Sequence, residues 1–347
     1  MPLPRILGLA TAVPPFRLAQ EAVTALAERL FGEAFEDLAR LLPVYANAAV
    51  KTRYSCVPLE WYAEEHAFGE RNRLYVENAL KLLEQAAGAA LAQASLAPAA
   101  VDSLVVVSST GVATPSLDAR LMERLPFRRD VERLPIFGLG CAGGVLGLSR
   151  AAALALSRPG SILLLLVVEL CGLTFRPRDQ SKSNFIATAL FGDGAAAALI
   201  STRGPGPGLR AWGEHTWPNS LDVMGWRIED DGFGVLFSRD IPALIRAHMA
   251  DVTASYLDKH GLTLKDIDSF VCHPGGAKVI AALEEIFRLP PGGLVHSREV
   301  LRDFGNMSAA SLFFVLERAL ACGQGRRHLL SALGPGFTAG FATLEVA

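Results

Sequence analysis

Paired cysteines are missing from this chain: Cys56, Cys141, Cys171, Cys272 and Cys322 lie scattered, with no CxxC pair and no His/Cys cluster. A disulfide framework and a zinc site are therefore not expected, and any cysteine of interest must act as a thiol. Long apolar runs are missing too. The longest, SILLLLVV at 161–168, stops at Glu169 and is too short to span a bilayer, so it predicts a buried strand and no membrane span. A net charge of −2 leaves no basic footprint, which excludes nucleic-acid binding. The opening residues, MPLPRILGLATAVPP, lack the apolar core of a signal peptide, and a cytoplasmic location is expected. Charge itself is scarce: Asp, Glu, Lys and Arg supply 20% of 347 residues, against 51% apolar ones, with a mean hydropathy of +0.30. Some of that apolar surface must be covered, by an oligomer interface, an apolar ligand tunnel or both.

What the chain does have is an internal repeat. LAPAAVDSLVVVSS (96–109) and LTLKDIDSFVCHPG (262–275) show the same order, with Ser103 and Ser269 in matching places. At an offset within one residue of the first, FGLGCAGGVLGLSRAAALALSRPGSILLLL is echoed by RDFGNMSAASLFFVLERALACGQGRRHLLSALG, with Asn306 standing where the first copy has Cys141. Helices alternating with short Val/Leu/Ile strands predict an α/β fold of stacked layers with buried, partly parallel sheets. Residues 1–201 would form a half carrying Cys141, and 202–347 a half carrying His273 and Asn306, together one compact unit. The stretch 202–240, rich in Gly, Pro and Trp, interrupts the pattern and is expected to lie over the site.

Cys141 falls between the strand PIFGLG and the helix AGGVLGLSRAAALAL. A helix N-terminus offers unpaired N–H groups and the positive end of the dipole, so the placement predicts a thiolate and the most reactive of the five thiols. Glycines 138, 140, 143 and 144 leave room for close approach to the sulfur. His273 follows the strand DSFVC and can exchange a proton or donate to an oxyanion near neutral pH. Asn306, ahead of another helix, supplies an amide donor that keeps its protons. Each has a plainer reading alone: a small apolar residue, a structural histidine and a helix cap. Under the duplication, Cys141 and Asn306 occupy equivalent corners that would face one cleft. A thioester on Cys141, with His273 and Asn306 stabilising the enolate left when a malonyl thioester loses carbon dioxide, fits that set. It requires neither metal nor organic cofactor.

GCAGG with Cys141, CHPGG with His273, FGNMS with Asn306, LFGDGAAA at 190–197 and GPGF at 334–337 together resemble the type III polyketide synthases, the chalcone synthase group of the thiolase superfamily. That resemblance implies a thiolase-like, five-layered αβαβα fold built from two duplicated halves, a homodimer, and acyl-CoA and malonyl-CoA as substrates. It places Phe191 as the gate between a coenzyme A tunnel and the cavity, and Ser308, Thr174 and Cys171 as cavity residues. Thr114 stands where plant members have a methionine that reaches across the dimer, and Val235 where they have a cavity phenylalanine; both changes would enlarge the pocket. Arg40 matches one basic side chain that grips coenzyme A phosphates, but Pro43 and Asn47 stand at two others, so Lys51 or Arg53 is expected to contribute. GLGCAGG, TWPNSLDVMGW and RNRLYVENAL are similar to bacterial members that make alkylresorcinols or alkylpyrones from long-chain fatty acyl starters.

Two rivals remain at this level. A 3-ketoacyl-acyl carrier protein synthase III-like initiating enzyme shares the fold and the Cys/His/Asn set, but its histidine usually sits in an HQAN-like phrase and not in HPGG. A catalytically silent scaffold that merely holds an acyl ligand would need no intact trio.

Overall fold

The run that ends at Glu169 explains the layering. Strand Leu163–Leu170 is buried along its whole length, and successive strand side chains face opposite sides, so both faces need cover. Leu163, Leu165 and Val167 enter one core and Leu164, Leu166 and Val168 another. The computed structural model describes residues 2–32, 35, 38–323 and 325–346.

Nine strands form the main sheet: β1 (Arg5–Ala12), β2 (Ser103–Val107), β3 (Glu132–Ile136), β4 (Leu163–Leu170), β5 (Asp193–Ser201), β6 (Gly208–Thr216), β7 (Ser269–Cys272), β8 (Arg327–Gly334) and β9 (Thr338–Glu345). Their spatial order is β7-β8-β9-β6-β1-β5-β4-β2-β3. In the first half β2 and β4 are parallel, while β4 with β5 and β5 with β1 are antiparallel. The second half repeats this: β7 and β8 are parallel, and β8 with β9 and β9 with β6 are antiparallel. The two half-sheets join at the pair Arg5/Gly208, through Ile6 N–H to Pro207 O at 2.9 Å and Leu209 N–H to Pro4 O at 2.7 Å, and β3 has no counterpart among the described strands of the second.

Seven of the helices matter to the layers: α1 (Gln20–Phe31), α2 (Phe68–Gln93), α3 (Gly143–Ser157), α4 (Lys182–Leu190), α5 (Ala250–Asp258), α6 (Ala277–Ile286) and, leading into the site, α7 (Val295–Phe304). An eighth, α8 (Ser311–Ala321), packs with α3 between the half-sheets. Helix α2 covers the outer face of the first half, and α5 and α6 that of the second, which completes the αβαβα stack. Because α3 is enclosed, it is apolar nearly all round. Residues Gly140–Ser157 are the one helical stretch among those described that is apolar and long enough to cross a bilayer, and they lie in this central layer. The close packing explains Gly144, where an added Cβ would sit 2.4 Å from the Ala309 carbonyl oxygen.

Candidate active site

The cysteine corner is built by glycines. Between β3 and α3 the chain turns through Gly138 and Gly140, with φ of 89° and 46°, into the single turn Gly140–Ala142. A Cβ on Gly140 would lie 2.6 Å from Pro335 Cδ, and one on Gly334 2.5 Å from the Leu139 carbonyl oxygen. The GPGF segment therefore packs directly on the turn that carries Cys141.

His273 leaves the end of β7, its N–H donating to the Ser331 carbonyl at 2.8 Å. The side chain is 4% exposed and neither ring nitrogen has a partner among the described residues. Burial pushes its imidazole down to about 3, so the ring is neutral. Two buried nitrogens without partners are costly unless a ligand supplies them.

Asn306 follows α7 through Gly305, where φ is 68° and a Cβ would stand 2.7 Å from the Leu190 carbonyl oxygen. The Asn306 N–H donates to Leu190 O at 2.8 Å, and its carbonyl accepts from Gly192 N–H at 3.0 Å. Its side-chain Oδ1 accepts from Ser308 N–H at 2.8 Å, while Nδ2 makes a long 3.4 Å contact to Gly275 O and lies within hydrogen-bonding reach of the Cys141 thiol. The amide is thus held by its oxygen and presents its donors.

Cys141, His273 and Asn306 line one chamber of about 30 Å³ with Met224, Phe237 and Gly275. A second, of about 50 Å³, opens on the other side of Cys141 between Cys171, Phe191, Trp226, Val235 and Ser308. Its roof is the hairpin of Met224–Glu229 and Gly232–Phe237, inside the segment expected to overlie the site. A third, of about 80 Å³, shares Cys171, Phe191 and Val235 with the second and runs beneath α1 past Val23, Leu26 and Phe31. Phe191 is therefore a partition, packed edge-on against Trp226 at 6.3 Å.

Electrostatics correct one expectation. Burial pushes the Cys141 thiol up to about 12; hydrogen bonds with Ser308 and Asn306 pull it down and the charge of Glu169 raises it. The helix end does not outweigh burial, which favours the neutral form of both thiol and imidazole. Reactivity changes accordingly. Cys322 is exposed, Cys141 only partly so, and Cys56, Cys171 and Cys272 are buried. Iodoacetamide is expected to label Cys322 first. Cys141 should follow, with a rate that climbs about tenfold per pH unit from about pH 7 to about pH 9. A plateau already reached below about pH 7 would mean that His273 holds the proton at rest.

Other expected residues are placed as follows. Ser308 lines the second chamber and its hydroxyl reaches Glu169 Oε1 at 3.3 Å. Thr174 is buried against the third chamber, where its hydroxyl donates to the Cys171 carbonyl at 2.7 Å. Thr114 is exposed and is not among the residues that line the three chambers. Arg40 and Lys51 are exposed. Arg53 is not: it is 4% exposed and its guanidinium donates to the Thr188, Ala189 and Phe191 carbonyls at 2.6, 2.9 and 2.9 Å. A phosphate outside cannot reach it, so Arg53 is withdrawn from the coenzyme A contacts.

No motif in the sequence points to Glu169. It is fully buried and accepts from Ser109 N–H at 3.0 Å and the Thr110 hydroxyl at 2.9 Å, and burial pushes it up to about 7. The only signal was a carboxyl closing an apolar run.

Residues 4–205 match the model for the N-terminal domain of chalcone and stilbene synthases, and residues 210–343 match the model for their C-terminal domain. The 1,3,6,8-tetrahydroxynaphthalene synthase of Streptomyces peucetius is 43% identical over 344 residues, covering 96% of this chain and 91% of that one. Among solved structures, the 1,3,6,8-tetrahydroxynaphthalene synthase of Streptomyces coelicolor superposes with a TM-score of 0.91 at 28% identity, over 99% of both chains. PKS-I of the brown alga Ectocarpus siliculosus gives 0.92 at 27% identity, over 99% of this chain and 98% of that one.

Proposed function

The chain belongs to the chalcone and stilbene synthases, the type III polyketide synthases, and from that premise we propose that it loads a fatty acyl group onto Cys141 and extends it with malonyl units. Ring closure to an alkylpyrone or alkylresorcinol completes the reading. The observation that carries it is the convergence of a thiol, an imidazole with both nitrogens unpartnered and an amide with its donors presented, all on one chamber.

The steps follow from those groups. Cys141 Sγ attacks the acyl-CoA carbonyl as His273 takes its proton, so no free thiolate has to persist in a buried site. Coenzyme A leaves with that proton. A malonyl-CoA then loses carbon dioxide, and the enolate oxygen is met by a ring N–H of His273 and Nδ2 of Asn306. The enolate carbon bonds to the thioester carbonyl carbon, the bond to Cys141 Sγ breaks, the departing thiolate takes up a proton from solvent, and the lengthened chain leaves on coenzyme A ready to reload. No metal or organic cofactor enters this sequence. Exposed Arg40 and Lys51 are the cations proposed to meet the coenzyme A phosphates; Lys51 N–H is bonded to Arg302 O on α7, the helix that leads to Asn306.

The third chamber supports a long alkyl starter. Its lining by Leu18, Val23, Leu26, Ala27, Phe31 and Phe175 offers an alkyl tail an apolar end wall. Filling it with Ala27→Leu is expected to shift the ratio of decanoyl-CoA to palmitoyl-CoA turnover by about tenfold toward the shorter starter. An unchanged ratio would remove the tail from this chamber.

A second reading is favoured by the 43% identity with a tetrahydroxynaphthalene synthase: that the chain builds its product from malonyl units alone. Product masses from malonyl-CoA with and without fatty acyl-CoA separate the two, and indifference to fatty acyl-CoA would establish the second. Turnover with free malonyl-CoA also separates both from an enzyme that needs an acyl carrier protein. A homodimer belongs to the proposal: β3 is the outer strand of the sheet, and Leu134 and Phe137 beside that edge are 38% and 56% exposed. Pairing there would bring Thr114 toward a partner.

A further inference from the structure

Arg53 stands at the point where three segments of the site meet. Strand Thr52–Ser55 alternates half-buried and buried residues, which turns Arg53 inward with Ser55. Among the described residues no carboxylate is hydrogen-bonded to the guanidinium. It donates to the carbonyls of Thr188, Ala189 and Phe191 and to the side chain of Gln20, whose own Nε2 donates to Ala189 O at 3.0 Å and to Tyr45 O at 3.1 Å. Those acceptors are the last carbonyls of α4 and the residue beyond it, the negative end of a helix whose intrahelical donors have run out.

The opposite edge of the same short segment holds Asn306, through Leu190 O and Gly192 N–H. Beyond it, Asp193 accepts from Gly172 N–H at 2.7 Å and Cys56 N–H at 3.0 Å, and its charge attracts Arg53 across the buried space. A Cβ on Gly192 would approach Arg53 Cβ to 3.3 Å, so the strap rests on the arginine stem as well as its head. Residues 188–192 therefore form a strap with Arg53 and Gln20 on one side and the Asn306 backbone on the other.

We propose that Arg53 is a positioning residue which, by gripping the carbonyls of this strap, sets both the Phe191 partition and the Asn306 amide for chain extension. It touches no reacting atom, although its side chain also borders the third chamber. The inference rests on the function proposed above and adds a prediction that function alone does not make. Acyl loading uses Cys141 and His273, which the strap does not hold; decarboxylation and extension use Asn306 and the chamber that Phe191 bounds. Losing Arg53 should split the two half-reactions.

The test uses the full chain with Arg53→Met and Arg53→Lys. Acylation of Cys141 by hexanoyl-CoA is read by intact mass, and malonyl-CoA consumption and ketide formation are read separately. Arg53→Met is expected to acylate within about threefold of the unaltered rate while extension falls on the order of a hundredfold, the effect of an ångström-scale misplacement. Arg53→Lys, which keeps the charge but not the fork, should recover part of the extension rate. In a Phe191→Ala background the Arg53→Met loss should shrink, because the two act through one element. An equal fall in acylation and extension, or independent multiplication of the two losses, would overturn the assignment. If Arg53→Met does not fold, Gln20→Leu removes one arm of the grip: selective loss of extension supports the strap, and its absence overturns it. The two readings fail separately. No polyketide from the unaltered enzyme sinks the function, whereas normal extension by Arg53→Met sinks the positioning role.

Discussion

Cys141→Ala is expected to take up no acyl group and to lower ketide formation by on the order of 10⁴-fold or more, the scale set by removing a nucleophile from a concerted set. The loss is chemical and not structural. Sγ sits beside chamber space, and trimming one sulfur from a position flanked by Gly140 and Ala142 should cost at most about 1 kcal/mol of stability. Malonyl-CoA decarboxylation should persist in this variant, because His273 and Asn306 still present their donors to the enolate. Intact mass after acyl-CoA treatment reads the first effect and release of carbon dioxide from malonyl-CoA the second. An acyl adduct retained at full yield would move the nucleophile elsewhere, with Cys171 on the same chamber as the first place to look.

Asn306→Ala is the complementary experiment. Acyl loading should remain, while decarboxylation and extension fall by about 10² to 10³, the range for removing one positioned donor from a developing oxyanion. The substitution also frees Ser308 N–H, which Oδ1 now accepts, and leaves it buried without a partner. Asn306→Asp separates these effects. It preserves an acceptor for Ser308 but offers no N–H to the enolate, so it should be stable and equally slow. Decarboxylation at the normal rate in either variant would show that Asn306 is no enolate donor. Together with the cysteine variant, the pair separates acyl loading from malonyl decarboxylation, each lost in one protein and kept in the other.

Much of the architecture was legible because strand runs and glycine turns are local signals. The repeat between 96–109 and 262–275 reappears as β2 and β7 with the same parallel neighbour in each half-sheet. Turn context brought Cys141, His273 and Asn306 to attention, and the folded chain puts them on one chamber. Two kinds of information were out of reach. The first is burial: a cysteine at a helix start suggests a thiolate, yet enclosure within the fold pushes the thiol the other way. The second is direction. KTRY reads as a basic surface segment, and only the pairing of Thr52–Ser55 with Phe16–Ala19 shows that Arg53 turns inward while Lys51, just outside the strand, stays exposed. Thr114 joins this group, because its motif suggests a pocket residue and only the folded chain shows that it is exposed, away from the three chambers.

The bonds from Asn306 to Leu190 and Gly192 are made entirely by main-chain atoms. Amino-acid replacement cannot delete a peptide N–H or carbonyl, short of proline, so this joint tolerates sequence drift on either side of it. Lineages can then rebuild chamber walls one side chain at a time, exploring new starters and ring closures, while the amide that serves the enolate keeps its coordinates.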